Sequence, residues 1–292
     1  MLSIILPAHK EPFMNKTIDS LLSNAVGEIE IIPVIDGNPP DEPLRLDPRV
    51  KPVVLEEHKG MRGAINAGLA HASGEFVMKM DAHCLVALGF DKVLIEDCPP
   101  NWLTIPRRYS VNETTWQRKS PVVDYHYLIF PGVSDPSYGY SFQVAAWPSK
   151  RVDQLEIDDT MIFQGSCWMA NRQYFMEHVG FLDDRLETYG TFTQEQQEIG
   201  LKYWLGGGEI KINKKTWYAH LAKRSHHYNS GFFSRIHKKD QYHIMGGVWG
   251  TKHWMNNEEP NMIHPFSWLI EKFWPVSSWP DNWQEIWDNH TS

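Results

Sequence analysis

The chain of 292 residues has little cysteine: Cys84, Cys98 and Cys167 are an odd number at no metal-ligand spacing. A disulfide-held scaffold is therefore not expected, and a buried apolar core must hold the fold. No apolar run is long enough to span a bilayer, and no signal-peptide layout precedes the strand pattern that starts at Leu2. This predicts a cytoplasmic protein without a membrane span. Positive charge is not in excess, with 28 Lys and Arg against 36 Asp and Glu and a net charge of −8, so nothing pulls the whole molecule toward nucleic acid. Internal repeats and low-complexity linkers are missing too. What is present, 42% hydrophobic and 22% charged residues, suits a globular chain large enough for an α/β domain with an appendage.

In chain order, short apolar runs alternate with helical periodicities. Strands are predicted over residues 3–7, 30–35, 50–55 and 74–80, with helices over 15–23 and 61–72 between them. That alternation implies a mostly parallel sheet with right-handed crossovers. Residues 98–148 are rich in Pro, Tyr and Trp and poor in periodicity, and they read as loops and short strands crossing the sheet, of which one can be placed, near 102–106. Helices are expected again over 171–179 and 193–204, the latter ended by Gly206, Gly207 and Gly208, before strands over 209–213 and 216–221. Beyond residue 221 lie seven of the 13 Trp and seven of the 14 His, and residues 223–239 carry five basic residues and no acid.

The strand at 74–80 runs into Asp81-Ala82-His83. In an extended chain residues two apart point the same way, and the carboxyl end of a strand in an open α/β sheet is where such sheets bind ligands. A carboxylate with an imidazole suits a borderline divalent cation such as Mn²⁺, which neutralises a diphosphate. Three further features accompany the triplet. Pro7-Ala8-His9-Lys10-Glu11 follows the first strand. Asp36 ends the second, where a carboxylate could accept from the N3–H of a uracil. In residues 60–68, glycines would let backbone approach a ribose-diphosphate, with Arg62 placed to bridge phosphates. Taken singly, each is an ordinary turn or loop feature.

Together and in this order, over residues 2–90, they resemble the nucleotide-binding half of a GT-A glycosyltransferase, a Rossmann-like α/β fold with a mostly parallel central sheet and helices on both faces. The sequence Asp81-Ala82-His83-Cys84 is similar to the metal triplet of the polypeptide N-acetylgalactosaminyltransferases, where most GT-A enzymes have Asp-x-Asp. Residues 164–172, residues 189–207 and Trp217-Tyr218-Ala219-His220 resemble that family's donor-sugar segment, its Trp-Gly-Gly-Glu-Asn helix and its third metal ligand. The resemblance implies metal ligation by Asp81, His83 and His220, with Mn²⁺ or Mg²⁺ as cofactor and a UDP-sugar as donor. It implies nucleotide contacts from Pro7, Ala8, His9, Glu11, Asp36, Gly60, Arg62, Asn66, Lys79 and Asp81, and sugar contacts from Gly165, Ser166, Trp168 and Glu195. The catalytic candidates are Glu195, Gln196 and Glu198. Gln196 stands where inverting enzymes carry a basic Asp, which points to retention, with Glu195 or Glu198 as base if the reaction inverts.

This chain departs from the family in having Thr191-Phe192-Thr193-Gln194 where the family has one glycine before its Glu. The expected organisation is a catalytic domain over residues 1–221, divided into a nucleotide-binding half (1–97) and an acceptor and sugar half (98–221). Residues 222–292 form a Trp- and His-rich extension packed on it. The basic run, opened by His226, His227 and Tyr228, reads as a loop closing over the diphosphate, as a solvated surface, or, with Phe232, Phe233 and Tyr242, as a nucleic-acid contact. The acceptor stays open among a protein Ser or Thr, a glycan and a hydroxylated DNA base. A carbohydrate-binding protein with Trp platforms is the non-enzymatic alternative.

Overall fold

The computed structural model describes residues 1–132, 139–150, 154–222 and 241–291. Its first half comprises β1 (Leu2–Ala8), α1 (Met14–Asn24), β2 (Ile29–Asp36), β3 (Val53–Leu55), α2 (Gly60–His71), β4 (Phe76–Met80), β5 (Cys84–Val86), α3 (Phe90–Glu96), β6 (Trp102–Asn112) and β7 (Gln117–Val123). There follow β8 (His126–Ile129), β9 (Gln143–Ala146), β10 (Ile157–Asp159), β11 (Cys167–Asn171), α4 (Arg172–His178), α5 (Glu195–Leu205) and β12 (Glu209–His220). The last helices are α6 (Gln241–Met255), α7 (Phe266–Phe273) and α8 (Trp283–Thr291).

The large sheet has the order β10-β12-β6-β11-β4-β1-β2-β3. All of these strands run one way except β11, antiparallel to β4 and β6, and β10, antiparallel to β12. Strands covered on both faces need apolar residues on both, and β2 is buried at every position. Alternation along β1 sends Leu2, Ile4 and Leu6 to the core built with α1 and α3, and Ile5 to the core built with α2 and α5. Strand β1 pairs with β2 on one side and β4 on the other, so the strand order reverses there and the carboxyl ends of all three open onto one crevice.

Two regions differ from the sequence reading. Residues 98–148 hold four strands where the sequence placed one: β6 is 11 residues long, pairs with β7, and is followed by the β8·β9 hairpin. β7 is polar and largely exposed, so no apolar alternation announces it. Residues 84–96 add β5 and α3. The tail tryptophans Trp254, Trp279 and Trp287 are buried rather than displayed as platforms. The Trp254 indole donates to the Tyr189 hydroxyl (2.7 Å) and that of Trp279 to the Leu128 carbonyl (2.6 Å), fixing the C-terminal helices to the sheet domain. Among the described residues no helix is long and apolar enough to cross a membrane.

Two consequences can be measured. Where α2 crosses β1, a β-carbon on Gly68 would lie 2.3 Å from Cγ2 of the buried Ile5. Gly68→Ala should therefore cost about 1–3 kcal/mol, read as a lower urea midpoint at unchanged slope. His126 lies in the core, and burial, aided by the Arg108 charge, lowers its pKa from 6.5 to about 3. The unfolded chain takes up this proton below the ordinary value while the folded chain stays neutral, so stability falls as pH drops from 6.5 toward 3. The slope from this group approaches about 1.4 kcal/mol per pH unit. His126→Asn should flatten the acid side of the stability profile, and a profile as steep as the wild type's would refute the assignment.

Candidate functional site

Strand register assembles the metal-capable side chains. β4 delivers Asp81 and His83 at its carboxyl end. β12 bends at an irregularity between Asn213 and Trp217 and then pairs with β5, setting His220 opposite Cys84. The Leu221 amide donates to the His83 carbonyl (3.1 Å) and closes the junction. His220 Nε2 lies 3.0 Å from His83 Nε2 and 3.1 Å from Asp81 Oδ2, and His83 Nε2 lies 3.8 Å from Asp81 Oδ2. Cis ligands held at about 2.1 Å by a six-coordinate cation are about 3 Å apart, so these atoms form one face of such a shell. His83 Nδ1 is 3.1 Å from Glu11 Oε2. A carboxylate only accepts, so Nδ1 carries the proton and Nε2 offers its lone pair. Burial is the main cause that lowers the His220 pKa to about 4, against the pull of Asp81, and keeps the imidazole neutral and able to ligate. Burial also opposes the charge on Asp81, but Lys79 and the two imidazoles outweigh it and hold the carboxyl well below its usual range.

A second grouping, His9, Asp36 and His58, has similar spacing. Here, however, Asp36 accepts the Lys59 amide (2.6 Å) and the Gly60 amide (2.9 Å), and His58 Nδ1 lies 2.7 Å away. Asp36 thus fastens the start of α2. Its side chain is buried, and both oxygens accept hydrogen bonds within the protein. His9 packs against His58 with ring centroids 4.3 Å apart. Pro7 and Ala8 are the last two residues of β1.

Beside the first cluster is a cavity of about 770 Å³ lined by Lys79, Asp81, Gly165, Ser166, Glu195 and Gln196 on one side and by Arg108, His126, Gln143, Val144 and Ile244 on the other. The buried Lys79 ammonium donates to Asp81 Oδ1 (2.8 Å) and to the Gly165 carbonyl (2.6 Å), with Glu195 Oε2 at 3.5 Å. Burial works against its charge, but the two carboxylates raise its pKa. Glu195, the first residue of α5, also accepts from the Trp168 indole (2.8 Å), and burial raises its pKa. A β-carbon on Gly165 would meet Glu195 Oε2 at 2.8 Å, so glycine lets α5 approach this closely.

Other sequence-derived site residues are engaged within the protein. Arg62 is fully buried: it pairs with Glu198, donates to the Thr193 (2.8 Å) and Asp183 (3.0 Å) carbonyls and lies 4.3 Å over the Tyr189 ring. Glu198, buried, is shared between Arg62 and Lys202 (2.9 Å). Asn66 exchanges hydrogen bonds with the Leu182 backbone (2.9 and 2.8 Å), and Gly60, at φ +77°, makes room for Thr191. The 60–68 helix is therefore a clamp on the loop that leads into α5. Trp168 is buried, stacks on Phe175 at 5.0 Å and orients Glu195 without lining the cavity. Glu11 acts through His83. The basic run 223–239, with Tyr228, Phe232 and Phe233, lies outside the described residues.

Sequence reasoning missed Arg108, His126, Gln143 and Gln197, all cavity-lining. The available signal was a pair of arginines inside a strand, and it lay in the stretch read as loops and short strands.

Residues 3–179 match the family model for glycosyl transferase family 2. Mouse polypeptide N-acetylgalactosaminyltransferase 3 is 27% identical over 248 residues, 78% of this chain and 38% of its own. Human polypeptide N-acetylgalactosaminyltransferase 13 is 23% identical over 82% of this chain and 46% of its own. The glycosyltransferase EpsJ of Bacillus subtilis is 32% identical over 112 residues, 36% of this chain and 32% of its own. The chain thus spans less than half the length of these relatives. Among solved structures, GalNAc-T7 with UDP, GalNAc and Mn²⁺ superposes with a TM-score of 0.66 at 17% identity, covering 88% of this chain and 49% of that one. At that identity the likeness establishes the fold, the GT-A arrangement anticipated from the motif order. With the family match spanning more than half of its length, the chain belongs to glycosyl transferase family 2.

Proposed function

We propose that the protein transfers a hexose or N-acetylhexosamine from a UDP-sugar to an acceptor hydroxyl, with Mn²⁺ or Mg²⁺ held by Asp81, His83 and His220. The observation that carries this reading is the convergence of those three ligand atoms on one point beside a large cavity, at the reversal of strand order. The fit is chemical as well as geometric: two imidazole nitrogens and one carboxylate oxygen, with Glu11 fixing one tautomer. A bound cation would supply charge for the diphosphate that leaves. The likeness to a structure containing UDP, GalNAc and Mn²⁺ supports the same donor class. In this reading residues 1–221 are the catalytic unit, and the nucleotide lies along the carboxyl ends of β1, β2 and β4 with its base toward His9 and His58. Glu195, Gly165 and Ser166 meet the sugar.

Retention is the stereochemistry the site favours. The cavity wall carries two carboxyl groups, Asp81 and Glu195, and both are held by Lys79. Gln196, also on the wall, takes no proton. A second reading rests on Glu195 itself, whose raised pKa makes it the stronger base of the two and would serve an inverting attack.

The test is a donor screen: purified protein, Mn²⁺ and each UDP-sugar in turn, with UDP release followed in the absence of acceptor. Turnover with one donor, abolished by EDTA and by Asp81→Ala or His220→Ala, is the expected result, and full activity in either variant would remove the metal assignment. Glu11→Gln should lower turnover by about 10–100-fold by loosening His83. Gln196→Ala should cost little. Proton NMR of the first product formed should show the donor's anomeric configuration, and the opposite anomer would make Glu195 the base.

A further inference from the structure

Arg107 and Arg108 are neighbours on β6 with opposite surroundings. Strand alternation sends them to opposite faces. Arg107 forms a two-pronged pair with Asp124 at 3.1 and 2.8 Å. Arg108, half-buried on the cavity wall, has no carboxylate, carbonyl or aromatic partner among the described residues. Each other described arginine has one: Asp19 for Arg45, Asp47 for Arg49, Glu198 for Arg62, the Tyr109 and Trp217 rings for Arg118, the Gly74 carbonyl for Arg172 and Asp183 for Arg185. Lys79 is paired with both cavity carboxylates. The Arg108 guanidinium thus has, among the described residues, no counter-charge within pairing distance and borders a space large enough for a ligand. Its register partner on β12 is Tyr218, two residues before His220, which places it at the wall shared by the metal cluster and the β8·β9 hairpin.

A second observation concerns Gln197 on the same cavity. Its side-chain amide donates to the Phe142 carbonyl (3.2 Å), which fixes the orientation of the group. The other atom, Oε1, is buried and has no partner. A fixed acceptor of this kind receives a hydroxyl. Buried polar atoms are normally satisfied, so an orphan on a cavity wall marks where a ligand donates.

On the transferase reading of this site, we propose that the acceptor is a hydroxylated anion, an acidic saccharide or a polyol phosphate, whose carboxylate or phosphate is bound by Arg108 while a hydroxyl donates to Gln197. A guanidinium matches either anion in a two-pronged geometry. Arg108 is then a specificity-determining residue, and neutral acceptors are the poor ones.

The experiment is calorimetric binding to the whole protein, first with UDP and Mn²⁺, then, with UDP and Mn²⁺ present, with three probes: methyl β-D-glucuronide, glycerol 1-phosphate and the neutral methyl β-D-glucoside. The wild type should bind at least one anionic probe about tenfold or more tightly than the neutral one, the usual worth of one charge-assisted contact. Arg108→Gln should erase that preference while leaving UDP affinity within about twofold, and Arg108→Lys should keep part of it. The urea midpoint of each variant reports folding separately. Equal binding of neutral and anionic probes by the wild type would overturn the proposal. So would an Arg108→Gln variant that keeps the preference, or one that loses UDP affinity instead, since Arg108 would then serve the donor diphosphate. Failure of the wild type to bind UDP with Mn²⁺ would count against the donor reading alone, because the probes can also be titrated without nucleotide.

Discussion

Lys79 is a cation on a strand otherwise sealed from water, and the arrangement of the site depends on how its charge is met. An ammonium with 1% of its side chain exposed is costly unless its donors are filled by well-placed acceptors. Here they come from three parts of the chain: Asp81 just beyond β4, the Gly165 carbonyl before β11, and Glu195 at the start of α5. Moving any of the three by a residue leaves a buried charge unpaired, so the cation acts as a gauge that sets their relative positions. It also explains the difference between the carboxylates. Asp81, at 2.8 Å and with two imidazoles nearby, is held ionised, whereas Glu195, at 3.5 Å and deeper in apolar surroundings, is not depressed in the same way.

A second buried pair works on the other side of α5. Arg62 and Glu198 join α2 to α5, and the same guanidinium holds the Asp183 and Thr193 carbonyls. Taken with Lys79 and Glu195, this pins the helix at two points one turn apart. Gln196 and Gln197 lie between those points and line the cavity, Gln197 with its amide nitrogen tied to the Phe142 carbonyl. Buried ion pairs add little net stability, but removing one partner is expensive, so they specify an arrangement more than they strengthen it. The four residues preceding Glu195, which stand where the resembled family has one, are accommodated by this clamp: Gly60 opens space for Thr191, and the Arg62 amide donates to the Thr191 carbonyl.

What the sequence made legible follows from how local each signal is. The strands β1, β2 and β4 are buried on both faces and read as continuous apolar runs, and Asp81 and His83 follow one of them directly. Their convergence with His220 is set by β5 pairing with β12, a contact across more than a hundred residues of chain that no periodicity encodes. Motif position picked out Arg62, Asn66, Trp168 and Glu198, and in the structure each of them holds another part of the chain. A conserved-looking pattern names the positions, whereas burial decides whether a side chain meets ligand or holds another residue. Arg108 shows the converse. It lies in a strand whose partner β7 is polar and exposed, so the hairpin produced no hydrophobic pattern, and an arginine among such residues reads as surface until the cavity and the missing partner are seen together.

Proton transfer is the step these constraints bear on most directly. A hydroxyl acceptor must lose its proton as the glycosidic bond forms, and on the described cavity wall the carboxyl oxygens belong to Asp81 and Glu195. Asp81 is engaged with Lys79 and His220, so its basicity is suppressed by the same charges that fit it to hold a cation. Glu195 has one oxygen under the Trp168 indole and the other turned toward Gly165 and Lys79, a geometry suited to receiving hydrogen bonds from sugar hydroxyls. With Gln196 unable to take a proton, the proposed retaining reading gives that proton to the departing diphosphate, on the face of the sugar that the acceptor would use. In that proposal the preference for retention traces to the buried Lys79, which engages both wall carboxylates.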